Sequence, residues 1–211
     1  MKDSELKFEI HKIFPEIITV YKLPHDKEEE NFLKKFKLTE MNSSSNEEHG
    51  GKHCYISDEY YILEKNKILK NKLLKCVNHF KEEMSLGFDL KITTSWLTKT
   101  LPGGFSQKHF HSLSFYSGVY YPFQSIKKYT LEFIKGHEDF FAITGYIKKF
   151  NYITNRIKLE VDSNTLIIFN SLLQHKIPKN NTNEDRYSLA FNIMPTGKLG
   201  VLNSDSHYHF K

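Results

Sequence analysis

Histidine is the residue type that most clearly suggests chemistry in this chain, which contains 11 of them among 211 residues. His109 and His111 flank Phe110 in a segment with the character of a strand, so both imidazoles are expected on one side of it. A third candidate, His175, follows the apolar run 165–169. Three neutral imidazoles from neighbouring strands can hold one transition metal and leave coordination positions open. We therefore predict a metal site at His109, His111 and His175.

A basic side chain that would suit an acidic ligand comes downstream of His175. Arg186 and Ser188 share one face of a predicted strand whose neighbouring positions include Leu189 and Phe191. Burying a guanidinium costs free energy unless an anion pairs with it. Its planar fork fits a carboxylate, and a hydroxyl two residues along can add a hydrogen bond. These two residues are candidates for binding a dicarboxylate.

The elements that must position these side chains change type along the chain. Between Ser57 and about Ser85, apolar residues recur every three or four positions, which predicts an amphipathic helix with Ser57 or Asp58 as its cap and Gly87 as its stop. Residues 8–23 indicate extended segments, and residues 37–51 indicate a loop. After Gly87, turn signals such as Pro102-Gly103-Gly104 separate short runs rich in β-branched and aromatic residues. They predict strands at 90–97, 105–111, 115–123, 129–134, about 140–147, 150–161, 164–169 and 186–194.

About eight short strands without intervening helices are typical of an all-β sandwich or barrel. We expect a double-stranded β-helix (jelly roll) core with the N-terminal helical segment packed on it. The length fits one domain, 1–211. Within it we expect an N-terminal strand and helix portion at 1–88, the core at 89–196 and a tail at 197–211.

Several motifs occur in an order that resembles the iron(II)/2-oxoglutarate-dependent dioxygenase superfamily. They are Ser95-Trp96, His109-Phe110-His111, Ser117-Gly118-Val119-Tyr120-Tyr121, His175, and Arg186-Tyr187-Ser188 followed by Phe191-Asn192. The order is most similar to that of a group of 2OG-Fe(II) oxygenases from bacteria and marine phages. The segment Ile13-Phe14-Pro15 also resembles the usual start of that group. The resemblance covers about residues 90–195 well and the N-terminal third loosely. It implies a hydroxylase-type oxidation of an unidentified substrate, coupled to decarboxylation of 2-oxoglutarate to succinate.

The resemblance also implies roles for single residues, with Fe(II) and 2-oxoglutarate as the cofactors and O₂ as the oxidant. His109 and His175 would bind iron, whereas His111 stands where the superfamily usually has Asp or Glu. Arg186 would pair with the distal carboxylate of 2-oxoglutarate, assisted by Ser188.

The resemblance assigns roles to three further residues, of which Tyr121 joins Arg186 and Ser188 as a cofactor-binding residue. Tyr121, on a strand that resembles the Tyr-Tyr strand of prolyl hydroxylases, could donate its hydroxyl to the same carboxylate. Trp96 and Gln107 are candidates for pocket walls, although a core position is the more common role of a tryptophan.

Two other functions remain open on the residues alone. Three-His sites also occur in thiol and diketone dioxygenases of the same barrel shape, which use no 2-oxoglutarate, and the pair Arg186 and Ser188 argues against that alternative. The second is a non-enzymatic metal-binding jelly-roll module.

His137-Glu138-Asp139 has the superfamily's usual HxD spacing but lies in a polar turn. We expect His207 and His209 to be exposed, and His53 lacks the spaced partners of a zinc site.

Composition limits the setting in which the protein works. A hydrophobic fraction of 39% excludes general disorder, and a net charge of +5 does not require nucleic acid. No apolar run approaches the roughly 18 residues of a membrane span, and two cysteines are too few for a disulfide framework. We expect a soluble cytoplasmic protein (host cytoplasm if the chain is viral) with no membrane partner. An exposed edge such as residues 17–22 could pair two chains into a homodimer.

Overall fold

Two antiparallel β-sheets pack against each other and carry the site between them. The computed structural model describes residues 16–41, 51–136, 156–200 and 205–210. The larger sheet has the order β1-β8-β5-β10-β4-β3-β2, with β11 paired to β10, and the smaller has the order β7-β6-β9. The strands are β1 (Ile18–Lys22), β2 (Leu38–Glu40), β3 (Gly51–Ser57), β4 (Asp89–Ser106), β5 (Tyr116–Tyr121), β6 (Tyr129–Ile134), β7 (Arg156–Val161), β8 (Thr165–Asn170), β9 (Gln174–Lys176), β10 (Arg186–Leu199) and β11 (Tyr208–Phe210). This architecture confirms the predicted jelly-roll fold class.

The centre of the larger sheet is buried on both faces, which explains its nearly continuous apolar strands. In β8, Leu166 and Ile168 pack with the helices, whereas Ile167 and Phe169 pack with residues of the smaller sheet such as Phe133. Successive side chains of a strand point to opposite faces, so one strand can serve two cores. The core between the sheets is the one that surrounds the site.

Helices cover the outer face of the larger sheet. Helix α1 spans Lys27–Leu33 and α2 spans Lys67–Glu83, with a 3₁₀ turn at Ile62–Lys65 between them. The predicted periodicity holds in α2, whose buried positions are Leu69, Leu73, Cys76, Val77 and Phe80. None of the helices in the described ranges has the length and hydropathy needed to cross a membrane.

The predicted start of the long helix is wrong. Ser57 is the last residue of β3, where its buried hydroxyl accepts a hydrogen bond from Leu97 N at 3.0 Å. Asn66 is the actual cap, because its side chain accepts from Leu69 N at 3.0 Å. The apolar residues of the 3₁₀ turn extended the helical pattern towards the N-terminus and hid this boundary.

The predicted break at Pro102-Gly103-Gly104 is also wrong. Strand β4 runs through it to Ser106, and the conformation of Gly103 (φ +78°) is absorbed without ending the strand. In the pairing of β3 with β4 the register shifts between Lys52 and Cys54, so residues 101–104 of β4 form a bulge or bend opposite His53. A glycine in a strand can mark such a bend instead of a turn.

The N-terminal portion contributes strands to the core sheet. β1 pairs with β8 at one edge of the larger sheet. At the other edge β3 pairs with β4, and β2 pairs with β3. Strand β2 lies within residues 37–51, which were predicted to form a loop. The division into 1–88, 89–196 and 197–211 stays a prediction, as does pairing of two chains through residues 17–22. Residues 8–15, the strand predicted at about 140–147 and the start of the one predicted at 150–161 lie outside the described ranges.

Gly118 on β5 is required by the close approach of an aromatic ring. It pairs directly with Phe191 of β10, a fully buried residue, and a Cβ atom added at Gly118 would overlap the Phe191 ring. The ring therefore occupies the space that any other residue at position 118 would need. This contact fixes how β5 and β10, the two central strands, lie against each other.

Replacing Gly118 with Ala is expected to lower the free energy of unfolding by about 1–3 kcal/mol, the usual cost of overpacking a core. Urea unfolding of the metal-free protein measures it, and Phe191→Leu should recover part of the loss when combined with Gly118→Ala. Gly87→Ala is the matched control, since its added Cβ meets nothing within 4 Å. Equal stabilities of the two single variants would contradict the packing argument.

Candidate metal and dicarboxylate site

Three histidine side chains converge at one end of the inter-sheet space. One ring nitrogen from each of His109, His111 and His175 lies within 4.8 Å of the others, a group that could hold a metal ion. His175 lies on β9 and is buried, while His109 and His111 follow the end of β4 and are half-buried. The structure thus brings together the three residues predicted from the sequence.

The backbone around these histidines differs from the predicted strand 105–111. Strand β4 ends at Ser106, and His109 forms an isolated bridge to His175 with N–H···O distances of 3.0 and 2.9 Å. His111 N donates to Ser171 O at 2.9 Å. Phe110 was expected to point away from the site, yet it lines the same cavity and is 45% exposed. An irregular path, not a regular strand, therefore aims both imidazoles inward.

In two of the imidazoles, a backbone carbonyl determines which ring nitrogen carries the hydrogen. His109 Nδ1 lies 2.9 Å from Gln107 O, and His175 Nδ1 lies 3.0 Å from Leu173 O. Because a carbonyl oxygen only accepts, Nδ1 must carry the hydrogen in both rings. Nε2 then keeps its lone pair for a metal, and partners of this kind commonly orient metal-binding histidines.

Burial keeps His111 and His175 neutral. It lowers the pKa of His175 well below the usual 6.5, and the neighbouring His109 and His111 lower it further. Burial also lowers the pKa of His111 to about 4, although the hydrogen bond to Asn192 opposes that shift. Only a neutral imidazole has a free nitrogen lone pair, so burial favours the metal-binding form.

Arg186 is a buried cation in the same cavity. It is 3% exposed, its Nη1 donates to Thr130 O at 2.9 Å and its Nη2 to Tyr121 OH at 2.6 Å. Its Nε has no hydrogen-bond partner, and no carboxylate in the described part of the chain forms an ion pair with it. A buried guanidinium without a counter-ion is costly, so the arrangement suits an anionic ligand.

Two predicted helpers of Arg186 lie beside it. Tyr121 is buried and accepts from Arg186, so its own hydroxyl hydrogen remains available to another acceptor. Ser188 Oγ lies 2.7 Å from Thr98 Oγ1 and lines the cavity with Arg186. The cavity measures about 700 Å³ and is lined by all three histidines as well. One space therefore holds metal-ligand candidates together with a cation and hydroxyl groups for a carboxylate.

The other residues considered from the sequence lie partly inside and partly outside the site. Trp96 lines the cavity, with its ring 5.4 Å from that of His111, whereas Gln107 contributes its backbone carbonyl to His109. His53, His207 and His209 are not part of the histidine cluster. His137-Glu138-Asp139 lies outside the described residues.

Sequence reasoning missed the polar side chains that support His111. Asn192 Oδ1 and Ser117 Oγ each lie 2.9 Å from His111 Nδ1. A signal for Asn192 was present, because it falls on the same alternating face of β10 as Arg186 and Ser188. Ser117 lies directly across from Asn192 in the sheet, and only the pairing of β5 with β10 reveals this.

Residues 94–192 match a family model described as "Putative 2OG-Fe(II) oxygenase", a range that includes His109, His111, His175 and Arg186. No curated protein matches the chain in sequence.

Solved structures share the fold at low sequence identity. HygX from Streptomyces hygroscopicus, with nickel and 2-oxoglutarate bound, has a TM-score of 0.57 at 10% identity, covering 92% of each chain. SnoK, a non-heme alpha ketoglutarate dependent carbocyclase from nogalamycin biosynthesis, has a TM-score of 0.58 at 11% identity, covering 86% of this chain and 81% of its own. A prolyl-4-hydroxylase from Pseudomonas putida has a TM-score of 0.52 at 14% identity, covering 86% and 94%.

The chain's one tryptophan provides a direct readout of metal binding, because its ring lies next to His111. Co(II) is expected to quench Trp96 fluorescence with a stoichiometry of one. His175→Ala should weaken binding by roughly a hundredfold or more, since it removes a ligand and not only a supporting contact. The matched control is His79→Ala, which removes an exposed imidazole on α2. Equal Co(II) affinity of the His175 variant and the wild type would contradict the site.

Proposed function

Because residues 94–192 match a family model of 2OG-Fe(II) oxygenases, we propose that the protein carries out a hydroxylase-type oxidation with O₂. The oxidation is coupled to decarboxylation of 2-oxoglutarate to succinate, with Fe(II) bound by His109, His111 and His175. The observation that carries the proposal is the single cavity shared by these three imidazoles and the buried Arg186.

The chain's residues fit the two cofactors of the superfamily, Fe(II) and 2-oxoglutarate. Bound iron supplies the oxidation chemistry that no protein side chain can perform with O₂. The three histidines would hold it through neutral nitrogens, and two carbonyls orient two of the rings. Three protein ligands would leave room for a keto acid and O₂.

Arg186 is the residue proposed to hold the distal carboxylate of 2-oxoglutarate. Its unpartnered Nε, its burial and its place in the cavity all support an anionic partner. Tyr121 would donate its hydroxyl hydrogen to the same carboxylate, and the hydroxyl of Ser188 would add a further hydrogen bond. A dicarboxylate would thereby relieve the cost of the buried charge.

His111 in place of a carboxylate ligand changes the charge of the site. Three neutral imidazoles leave the full +2 charge of Fe(II), whereas one Asp or Glu ligand would reduce it to +1. Fe(II) and Arg186 together would carry a charge of +3, and 2-oxoglutarate, with one carboxylate at the iron and the other at Arg186, would reduce it to +1. This balance favours a strongly held dianion.

The remaining wall of the cavity is the surface proposed to face the primary substrate. Its aromatic members are Tyr55, Tyr60, Tyr61, Trp96 and Phe110. Among the described residues that line the cavity, Arg186 is the one with a charged side chain at neutral pH. Aromatic and aliphatic walls favour uncharged groups, so we propose that the substrate presents a neutral, apolar face to the metal.

Arg186→Ala separates this function from a three-His oxygenase that needs no keto acid. Removing one partner of a buried charge pair costs about 2–5 kcal/mol, so the dissociation constant of 2-oxoglutarate should rise at least about 30-fold. Calorimetric titration of the Co(II)-loaded protein under nitrogen measures this, and Co(II) affinity itself should stay unchanged. In the same variant, succinate formation with iron and ascorbate should be lost.

Two controls make the result specific to the guanidinium. Arg156→Ala removes a half-exposed arginine of β7 and should bind 2-oxoglutarate as the wild type does. Arg186→Lys keeps the charge without the planar fork, so intermediate binding is expected. If Arg186→Ala binds 2-oxoglutarate as tightly as the wild type, the proposal that Arg186 holds the keto acid in this cavity is wrong.

A further inference from the structure

The three histidines differ in what orients them. In His109 and His175, Nδ1 contacts the carbonyl two residues upstream, at Gln107 and Leu173 respectively. The equivalent carbonyl for His111 belongs to His109, and it already accepts from His175 N at 2.9 Å. His111 Nδ1 instead has its partners on other strands of the fold, at Asn192 and Ser117.

Asn192 lies on the inward face of β10. Its Oδ1 lies 2.9 Å from His111 Nδ1, and its Nδ2 donates to Thr94 Oγ1 at 3.0 Å. We propose that Asn192 is a positioning residue for the metal site, and that it holds His111 with the hydrogen on Nδ1 and the lone pair of Nε2 towards the metal. This role rests on the proposed function, because it requires His111 to be a metal ligand.

The sheet is irregular at the point where Asn192 must reach His111. The pairing of β10 with β4 shifts register between Phe191 and Ile193, so that Thr93 and Thr94 together oppose the single residue Asn192. Such bulges re-aim side chains and occur often beside active sites. Here the bulge places Thr94 where it can hold the amide nitrogen of Asn192.

Ser117 cannot perform the same task alone. Its hydroxyl lies 2.9 Å from His111 Nδ1 and 2.8 Å from Ser171 Oγ, and a hydroxyl can either donate or accept. It is therefore compatible with a hydrogen on either ring nitrogen. The amide oxygen of Asn192 accepts only, so its contact selects the form with the hydrogen on Nδ1.

The choice of an amide also fits the charge of the site. A carboxylate at position 192 would accept the same hydrogen bond but would add a negative charge beside a ligand. Asn192 orients His111 without changing the charge of the metal centre. The amide and the three imidazoles of the site are then all neutral side chains.

The test uses the whole chain of 211 residues and follows Co(II) binding by Trp96 fluorescence. Asn192→Ala should weaken Co(II) binding about 10- to 100-fold, the usual effect of removing a residue that orients a metal ligand. Asn192→Asp keeps an acceptor oxygen, and its negative charge favours a cation at His111, so Co(II) binding should be no more than about threefold weaker than in the wild type. Thr19→Ala, which removes a side-chain hydrogen bond on edge strand β1, is the control and should not change affinity.

A second measurement distinguishes positioning from a purely structural role. The ¹⁵N chemical shifts of the His111 ring, in metal-free protein at neutral pH, report which nitrogen carries the hydrogen. The wild type and Asn192→Asp should show the hydrogen on Nδ1, whereas Asn192→Ala should show a mixture of both forms. A change in packing alone would not restore the pattern in the Asp variant.

Each outcome supports or overturns the proposal. If Asn192→Ala binds Co(II) as the wild type does, or if Asn192→Asp is as weak as Asn192→Ala, positioning by the side-chain oxygen is wrong. If Asn192→Ala does not fold, Thr94→Val decides, since it keeps the β-branched shape and removes only the hydroxyl; unchanged affinity there would overturn the role. Absence of Co(II) binding in the wild type would instead overturn the metal site itself.

Discussion

The pair of backbone hydrogen bonds between His109 and His175 is the contact on which the site depends. It joins the segment after β4, in the larger sheet, to β9 of the smaller sheet. Two candidate ligands are thereby fixed opposite each other, and His111 follows two residues later. The third imidazole has its hydrogen-bond partners on β10 and β5. Backbone pairing thus brings together the side chains that surround the candidate metal site.

Strand β10 links this site to the rest of the protein. Its inward positions carry Arg186, Ser188 and Asn192, while Leu189 and Phe191 pack on the helices. Arg186 also connects the two sheets, because it donates to Thr130 on β6 and to Tyr121 on β5. Anchoring the guanidinium from both sides limits its movement before any ligand arrives, which favours binding.

The sequence was sufficient to predict the fold class and the residues that converge. Alternation placed Arg186 and Ser188 on one face, because it depends only on local backbone geometry. The spacing of His109 and His111 also predicted a shared site, although an irregular path and not strand alternation brings these two residues together. Strand β6 was predicted with its observed bounds, because a clear apolar run lies between turn signals. Resemblance to the superfamily supplied the identity of the cofactors, which residue types alone left open.

Features set by tertiary contacts were not predictable in this way. Strand β9 has three residues and is defined by its pairing with β6, so Gln174–Lys176 gives no local signal. The cap at Asn66 was hidden by the 3₁₀ turn before it. The roles of Asn192 and Thr94 depend on a bulge between β10 and β4, which is visible only once those strands are paired.

The central claim is that one cavity binds iron through three histidines and 2-oxoglutarate through Arg186. Anaerobic titration of the Fe(II)-loaded protein with 2-oxoglutarate tests it most directly, by the visible absorption band of a keto acid chelated to iron. We expect a saturable band in the wild type that weakens strongly in Arg186→Ala. Bound iron without any band would contradict the claim and favour a three-His oxygenase independent of keto acids.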